Sequence, residues 1–290
     1  MRTVLVTGGH GALARSVCAC LNSLGGYRVV VSTRTGGDDG VVELDVCDPV
    51  QFATRLEQFS PQIVLHLAAT FTDDFAQAYS VNVDSTRHLL EAVEKLGSPV
   101  RVILAGSAAE YGIVRPEENP VSEARVLNPV SVYGLTKAWQ TQLAYLYAAR
   151  GVDVIVARIF NLEGSGLSER LFAGRILRQI EGILQGQRST IEVGSLGATR
   201  DYLKLDEAAE QIAAVLACGR AGEVYHIASG KPVTMRALLE RNLDEHGIDV
   251  GMVREASNLS NKVGYDVPAI YADVTKTTTL LESWRALGKA

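Results

Sequence analysis

Val4-Leu5-Val6-Thr7-Gly8-Gly9-His10-Gly11-Ala12-Leu13-Ala14 stands near the head of the chain and decides how the rest is read. Three consecutive apolar residues predict a short buried strand, and the glycines predict a tight turn. Apolar Leu13, Val17, Leu21 and Leu24, at spacings of 4, 4 and 3, predict a helix with one buried face. A strand that runs through glycines into a helix brings free backbone amides and the positive end of the helix dipole up to a pyrophosphate. The pattern is Gly-x-x-Gly-x-x-Ala, a variant of the commoner Gly-x-Gly-x-x-Gly. The turn residues expected to hold a dinucleotide are Thr7, Gly8, His10, Gly11, Ala12 and Leu13. His10 has no partner at metal-ligand spacing, so no metal site is expected there.

Outward from the turn, a second strand, Arg28 to Ser32, leads into Thr33-Arg34. In a dinucleotide-binding arrangement this position faces the adenosine ribose, where a carboxylate prefers a free 2'-hydroxyl and an arginine accepts a 2'-phosphate. No acid occurs before Asp38, which favours NADP(H) over NAD. Val41 to Leu44 predicts a third strand. Asp45 at its end, with Val46 beside it, either bonds an adenine amine or simply forms the turn. Gln62 to Ala69 reads as a buried strand whose small end, Leu67-Ala68-Ala69, lets a cofactor lie close, while His66 reads as a packed core histidine.

Strands and helices keep alternating. A helix is expected over Ala76 to Leu96, a strand over Val100 to Leu104, a helix around Tyr133 and a strand over Val154 to Arg158. That order implies an α/β fold with a doubly wound parallel sheet. After Phe160-Asn161 the pattern changes to a loop at Glu163 to Gly166 and a helix over Arg170 to Leu184. Short strands near Ile191 and Val224 and helices over Asp206 to Leu216 and Met235 to Leu243 complete the chain. The expected division is a dinucleotide-binding domain over 1–160 and a smaller, mainly substrate-binding domain over 161–290, with some segments returning to the main sheet.

Tyr133 and Lys137 are four residues apart and share one face of a helix. A phenol ordinarily has a pKa of about 10, and a neighbouring ammonium favours its ionised form, so such a pair can pass a proton to or from an oxygen. Ser107, just past the fifth strand, can bond the same oxygen from a second side. Together the three would polarise a carbonyl.

Composition limits the partners. The 290 residues are 47% hydrophobic and 21% charged, with a net charge of -5 and 28 basic residues scattered along the chain. No basic stripe argues for nucleic acid, and no apolar run reaches the roughly 18 to 20 residues of a membrane span. Met1 leads directly into strand-like sequence rather than a signal peptide. Cys18, Cys20, Cys47 and Cys218 lack redox or zinc spacing and read as reduced core residues of a cytoplasmic protein.

The glycine turn, Leu65-His66-Leu67-Ala68-Ala69, Asn82-Val83, Ser107, Tyr133-x-x-x-Lys137 and the run Arg158 to Asn161 occur in the order found in the extended short-chain dehydrogenase/reductase family, of the epimerase/dehydratase type. The chain resembles that family over about residues 1 to 275. Within it, the chain most resembles the reductases of GDP-4-keto-6-deoxy-D-mannose and related nucleotide-sugar 4-ketoreductases. The supporting stretches are Gly106 to Gly112, Arg115 to Glu123 and Val193 to Asp201.

The resemblance implies an oxidoreductase in which Tyr133 donates the proton, Ser107 orients the carbonyl, and Lys137 holds the nicotinamide ribose while lowering the tyrosine pKa. It places Gly8, Gly11 and Arg34 at cofactor positions, with Leu67, Ala68, Ala69 and Phe160 along the same ligand. Ser107, Ala108, Glu110, Asn161 and Arg200 fall on the substrate side, the last two at positions that contact the substrate or its diphosphate. Asn82 matches a structural asparagine. Two departures stand out. Ala108 and Ala109 occupy the places where the family's dehydratases carry an acid pair, which argues against elimination of water. Val263, with Lys262 beside it, stands where the reductases usually carry an arginine that grips the diphosphate.

The reading is therefore NADPH-dependent reduction of a nucleotide-linked 4-keto-6-deoxyhexose. A nucleotide-sugar epimerase with retained NAD and a non-catalytic dinucleotide-sensing protein remain as alternatives. The resemblance also implies a homodimer built on the helices Ala76 to Leu96 and Gly134 to Arg150. The second of these carries an apolar stripe of Trp139, Leu143, Leu146 and Tyr147 that a monomer would bury against its own sheet.

Overall fold

The computed structural model describes residues 1–37, 40–256 and 267–287. β1 (Arg2–Thr7) runs through the glycine turn into α1 (Ala12–Leu24), and β2 (Tyr27–Thr33), β3 (Val42–Glu43), α2 (Pro49–Phe59) and β4 (Ile63–His66) follow. α3 (Phe75–Tyr79), a π-helical turn at Ser80–Asp84 and α4 (Ser85–Leu96) form one continuous helical segment leading to β5 (Arg101–Ser107). α5 (Val132–Ala149) and β6 (Asp153–Ile159) complete the run of alternating elements. The rest comprises β7 (Asn161–Glu163), α6 (Phe172–Leu184), β8 (Ile191–Val193), β9 (Thr199–Lys204), α7 (Leu205–Cys218) and β10 (Val224–Ile227). After these come β11 (Pro232–Thr234), α8 (Met235–Glu245), β12 (Val253–Glu255), β13 (Ala269–Ile270) and α9 (Thr275–Leu287).

Seven strands form one sheet in the order β10-β6-β5-β4-β1-β2-β3, and every pairing in it is parallel. Both faces are covered, as apolar parallel strands require. On one face Val17 and Leu21 of α1 pack with Ile212 and Leu216 of α7. On the other, Phe52, Leu56, Leu89, Leu90, Ala144 and Tyr147 come from α2, α4 and α5. The α/β class and the doubly wound parallel sheet follow the alternation read from the sequence. Successive strands run from β1 to β3 toward one edge and from β4 to β6 toward the other. The crevice between β1 and β4 is thus the topological switch point, where ligands bind in such sheets.

Away from the main sheet, β9 pairs with β7, β11 and β13. Ile176 and Ile180 of α6, Ile191 of β8 and Leu239 and Leu243 of α8 make a separate small core.

Several boundaries differ from the sequence reading, and β5 runs on through Ser107 instead of stopping at Leu104. The third strand is only Val42–Glu43. The fourth ends at His66, because Leu67 to Ala69 leave the sheet to pass over Gly8. The helix expected over 76 to 96 contains the π turn, within which Asn82 points inward. Its side chain accepts from the Thr70 amide at 2.9 Å and donates to the Thr70 carbonyl and to Thr136 Oγ1. Those bonds tie the segment after β4 to the start of α5.

Candidate active site

A cavity of about 670 Å³ opens at the carboxyl ends of the strands, beside the switch point. Gly8, His10, Gly11, Ala12 and Leu13 form one side, joined by Leu67, Ala69 and Phe160. Gly8 has φ +73°, and a Cβ there would stand 2.8 Å from the Ala68 nitrogen, so only glycine lets the two strand ends approach. Gly11 caps α1 in an extended conformation with no side-chain hydrogen bond to the first turn. The helix amides are left facing the cavity, as a dinucleotide pyrophosphate requires. The close-approach glycine and uncapped helix end fit an NAD(P) cofactor.

Ser107, Tyr133 and Lys137 meet on the facing wall. Ser107 ends β5 and begins a 3₁₀ turn, Ala108–Tyr111, where its Oγ accepts from the Ala109 amide at 3.2 Å. Tyr133 lies in the first turn of α5, which Ser131 caps by accepting from the Gly134 amide at 3.0 Å. The Ser107 side chain favours the ionised form of the Tyr133 phenol. Lys137, one turn on, has its Nζ 5.9 Å from the Tyr133 ring centre. It donates to the Ala105 carbonyl at 2.8 Å and to Gln140 Oε1 at 2.9 Å.

Burial pushes Lys137 down to about 8, against the opposing charge of Glu110. Burial likewise pushes Tyr133 up; the Ser107 hydrogen bond pulls it back in part, while the Glu110 charge adds to the rise. The expectation that Lys137 lowers the tyrosine pKa is not met in this arrangement. The ammonium is turned toward Ala105 and Gln140, and desolvation of the phenol dominates.

Among the remaining sequence candidates, Ala108, Asn161 and Arg200 line the cavity. Arg200 donates to the Thr199 and Val267 carbonyls at 2.9 and 2.6 Å, and Asn161 donates to the Asp201 carbonyl at 3.2 Å. Asp201 is itself buried, gripping Ser229, Gly230 and Ala272. Seven candidates fall outside the lining. The Thr7 hydroxyl is turned into the sheet, 2.9 Å from His66 Nδ1, and it accepts from the Ala68 amide. Ala68 supplies backbone behind the wall. Thr33 donates to the Gly36 carbonyl, and Arg34 is exposed just past β2. Asp45 accepts from the Cys47 amide, as a turn-former does, and Val46 packs against the core. Glu110 is the clearest correction. It is fully buried behind Ser107 rather than at the substrate, because Arg158 and Thr141 claim its carboxylate.

Other lining residues escaped the sequence reading. Phe71 stacks 4.2 Å from the Tyr133 ring, and Leu171, Phe172 and Tyr202 complete an apolar wall. Phe71 follows the small strand end closely enough to have been noticed, whereas Leu171, Phe172 and Tyr202 arrive through tertiary packing alone. Val263, Lys262 and Asp38 lie outside the described residues. Among the described residues, no group of three or more His, Cys, Asp or Glu side chains forms a metal cluster. No described helix is long and apolar enough to cross a membrane.

A glycine turn at the switch point facing a Ser, Tyr and Lys cluster defines a nicotinamide-dependent enzyme class, and the chain belongs to the NAD dependent epimerase/dehydratase family, whose model matches residues 4–228. The resemblance to the extended short-chain dehydrogenase/reductases is thereby borne out. Similar curated proteins include the GDP-6-deoxy-D-mannose reductase of Pseudomonas aeruginosa, 28% identical over 240 residues, covering 78% of this chain and 79% of that protein. The dTDP-6-deoxy-L-talose 4-dehydrogenase (NAD(P)(+)) of Kitasatospora kifunensis is 24% identical over 253 residues, covering 84% and 79%. The fold matches RMD from Pseudomonas aeruginosa, solved with NADPH, at a TM-score of 0.84 and 22% identity, over 100% of this chain and 98% of that one.

Proposed function

We propose that this chain is an NADP(H)-dependent reductase of a keto sugar, acting on the 4-keto group of a nucleotide-linked 4-keto-6-deoxyhexose. One observation carries the reading: Ser107, Tyr133 and Lys137 stand together on a cavity whose lining contains no Asp or Glu among the described residues. Elimination of water from a sugar needs a base for the carbon-bound proton and an acid for the leaving hydroxyl. Reduction of a ketone needs only one proton donor beside the hydride source. The relatives named as 6-deoxy-hexose reductase and dehydrogenase point to the substrate class.

In this mechanism Ser107 holds the carbonyl oxygen, and Tyr133 delivers its proton to it. Lys137 carries positive charge below about pH 8 and would hold the nicotinamide ribose. The nicotinamide, when bound, supplies the hydride to the carbonyl carbon. Gly8, Gly11 and the first turn of α1 hold its pyrophosphate, and Arg34 receives the 2'-phosphate that distinguishes NADP(H). Asn161 and Arg200 take the substrate's diphosphate. Residues 1–160 thus bind the cofactor, and 161–290 mainly cover the sugar nucleotide.

The assembly is a homodimer through α3, α4 and α5. Phe75, Tyr79, Tyr145 and Leu146 are exposed there, with Trp139 packed edge-on between Phe75 and Tyr79. The four free thiols suit a reducing cytoplasm.

The deciding assay follows NADPH oxidation with GDP-4-keto-6-deoxy-D-mannose and its dTDP-linked counterpart, together with the stereochemistry of the product. Stoichiometric oxidation and a new carbinol are expected. Tightly retained NAD with no net consumption of NADPH would replace the reductase reading with an epimerase.

A further inference from the structure

Glu110 lies three residues past Ser107 in the 3₁₀ turn, fully buried, and both carboxylate oxygens are engaged. Oε1 accepts from the Ser107 amide at 2.6 Å. Oε2 accepts from Thr141 Oγ1 at 2.7 Å and from Arg158 Nη2 and Nε at 2.9 and 3.2 Å. Thr141 is one helical turn beyond Lys137 and two beyond Tyr133, so it belongs to the α5 face that carries both. One carboxylate therefore ties together the end of β5, the catalytic face of α5 and the C-terminal end of β6. Gly106 makes room for it: a Cβ there would stand 2.8 Å from Oε1. Arg158 is buried as well and donates from Nη1 to the Tyr111 hydroxyl at 2.7 Å, so the pair is closed by hydrogen bonds on every side.

Resting on the reading of Ser107, Tyr133 and Lys137 as the reacting trio, we propose that Glu110 is a positioning residue of the reaction. It sets where Ser107 stands relative to Tyr133 by gripping the Ser107 amide at the end of β5 and Thr141 of α5 at once, and its charge sustains the ammonium of Lys137. The groups facing Lys137 and Tyr133 from the elements packed around them are few. They are His66 on β4, held neutral by burial, Ser107 and Glu110 from β5 and its turn, and Arg158 behind Glu110 on β6. Glu110 is the carboxylate whose charge acts on both Lys137 and Tyr133.

The test uses the full chain labelled with [ε-13C]lysine, with Lys137→Arg assigning the Lys137 resonance. In wild type that resonance titrates near pH 8. In Glu110→Gln it titrates at lower pH. Glu110→Asp keeps the charge but is one methylene too short to hold Ser107 and Arg158 together. Its Lys137 midpoint stays near wild type while kcat with GDP-4-keto-6-deoxy-D-mannose falls roughly tenfold or more and KM changes little. Glu110→Gln leaves Arg158 without its partner, so the double variant Glu110→Gln/Arg158→Met removes both charges at similar volume. Thermal melting verifies its fold, and its Lys137 midpoint also falls.

A midpoint that does not move in a folded Gln variant, or wild-type kcat in Glu110→Asp, overturns the proposal. Tyr133→Phe separates it from the reading beneath it. If that variant is inactive while the Glu110 variants behave as wild type, only the role of Glu110 falls. If it turns over normally, the catalytic reading falls, and the lysine titration still reports on Glu110 without substrate or cofactor.

Discussion

Gly8→Ala tests whether the glycine turn is built for close approach. The left-handed backbone at φ +73° costs an L-residue about 1 to 2 kcal/mol. The added methyl would lie 2.8 Å from the Ala68 nitrogen and 2.9 Å from its Cα, both backbone atoms, where ordinary contact begins at 3.4 Å. The strand ends must therefore separate by about half an ångström, against the pairing of Thr7 with His66 and the bond from the Ala68 amide to Thr7 Oγ1. Losing that bond adds about 1 kcal/mol, giving an expected total of about 2 to 3 kcal/mol. Gly97→Ala is the control: it has φ +62° at the end of α4 and nothing within 4 Å, so only the same backbone cost of about 1 to 2 kcal/mol applies, without the lost bond. Urea unfolding of both variants reads the difference. NADPH titration by fluorescence should show Gly8→Ala binding roughly tenfold more weakly, as the turn shifts from the end of α1, with Gly97→Ala unchanged. Equal destabilisation in the two variants and wild-type NADPH affinity in Gly8→Ala would refute the reasoning.

Tyr133→Phe keeps the ring against Phe71 and removes the proton, so kcat should drop about 100-fold or more with little change in NADPH affinity; near-normal turnover rejects Tyr133 as the acid. Arg34→Ala should weaken NADPH by about 1.5 to 3 kcal/mol and leave NADH almost unaffected, and equal losses for both would assign Arg34 another role. Burial pushes His226 down to about 4, so between pH 6.5 and 4 the unfolded chain holds the extra proton. The contribution of that neutral histidine is complete above pH 6.5 and lost as pH falls toward 4, by order 3 kcal/mol, and urea midpoints of His226→Gln should show a shallower acid slope than wild type. Light scattering at micromolar concentration should give twice the monomer mass, and a monomer there removes the proposed interface at α3, α4 and α5.

The fold was legible because its information is local and periodic. Val4 to Val6, Ile63 to Leu65 and Val102 to Leu104 are buried on both faces and so read as unbroken apolar runs, while the helices between them repeat on one side. Strand ends were less legible, since where Leu67 leaves the sheet depends on Gly8 lying across from it, a contact no window of sequence contains. The approach of Tyr133 to Lys137 could be read from a spacing of four. The direction of the lysine tip could not, because the Ala105 carbonyl that holds it is 32 residues away in sequence. Glu110 was misplaced for the same reason. A carboxylate beside Ser107 suggests a substrate contact until Arg158 and Thr141, 48 and 31 residues downstream, arrive to bury it.

The chemistry follows from where negative charge is kept. The cavity's ionisable side chains among the described residues are His10, Tyr133, Lys137, Arg200 and Tyr202, with no carboxylate. The nearby acid, Glu110, is walled off behind Ser107 and paired with Arg158. A phenol whose proton affinity is raised by burial rests as the acid, loaded for delivery. Lys137, down to about 8, still carries its charge at neutral pH, and Glu110 helps it do so. The two residues that face opposite sides of Ser107 therefore divide the work. On the proposed reading Tyr133 exchanges one proton with an oxygen, and Glu110 keeps the lysine charged from outside the cavity lining. On that reading, one mobile proton on one hydroxyl, with no carboxylate in the described lining, suits the interconversion of a carbonyl and a carbinol.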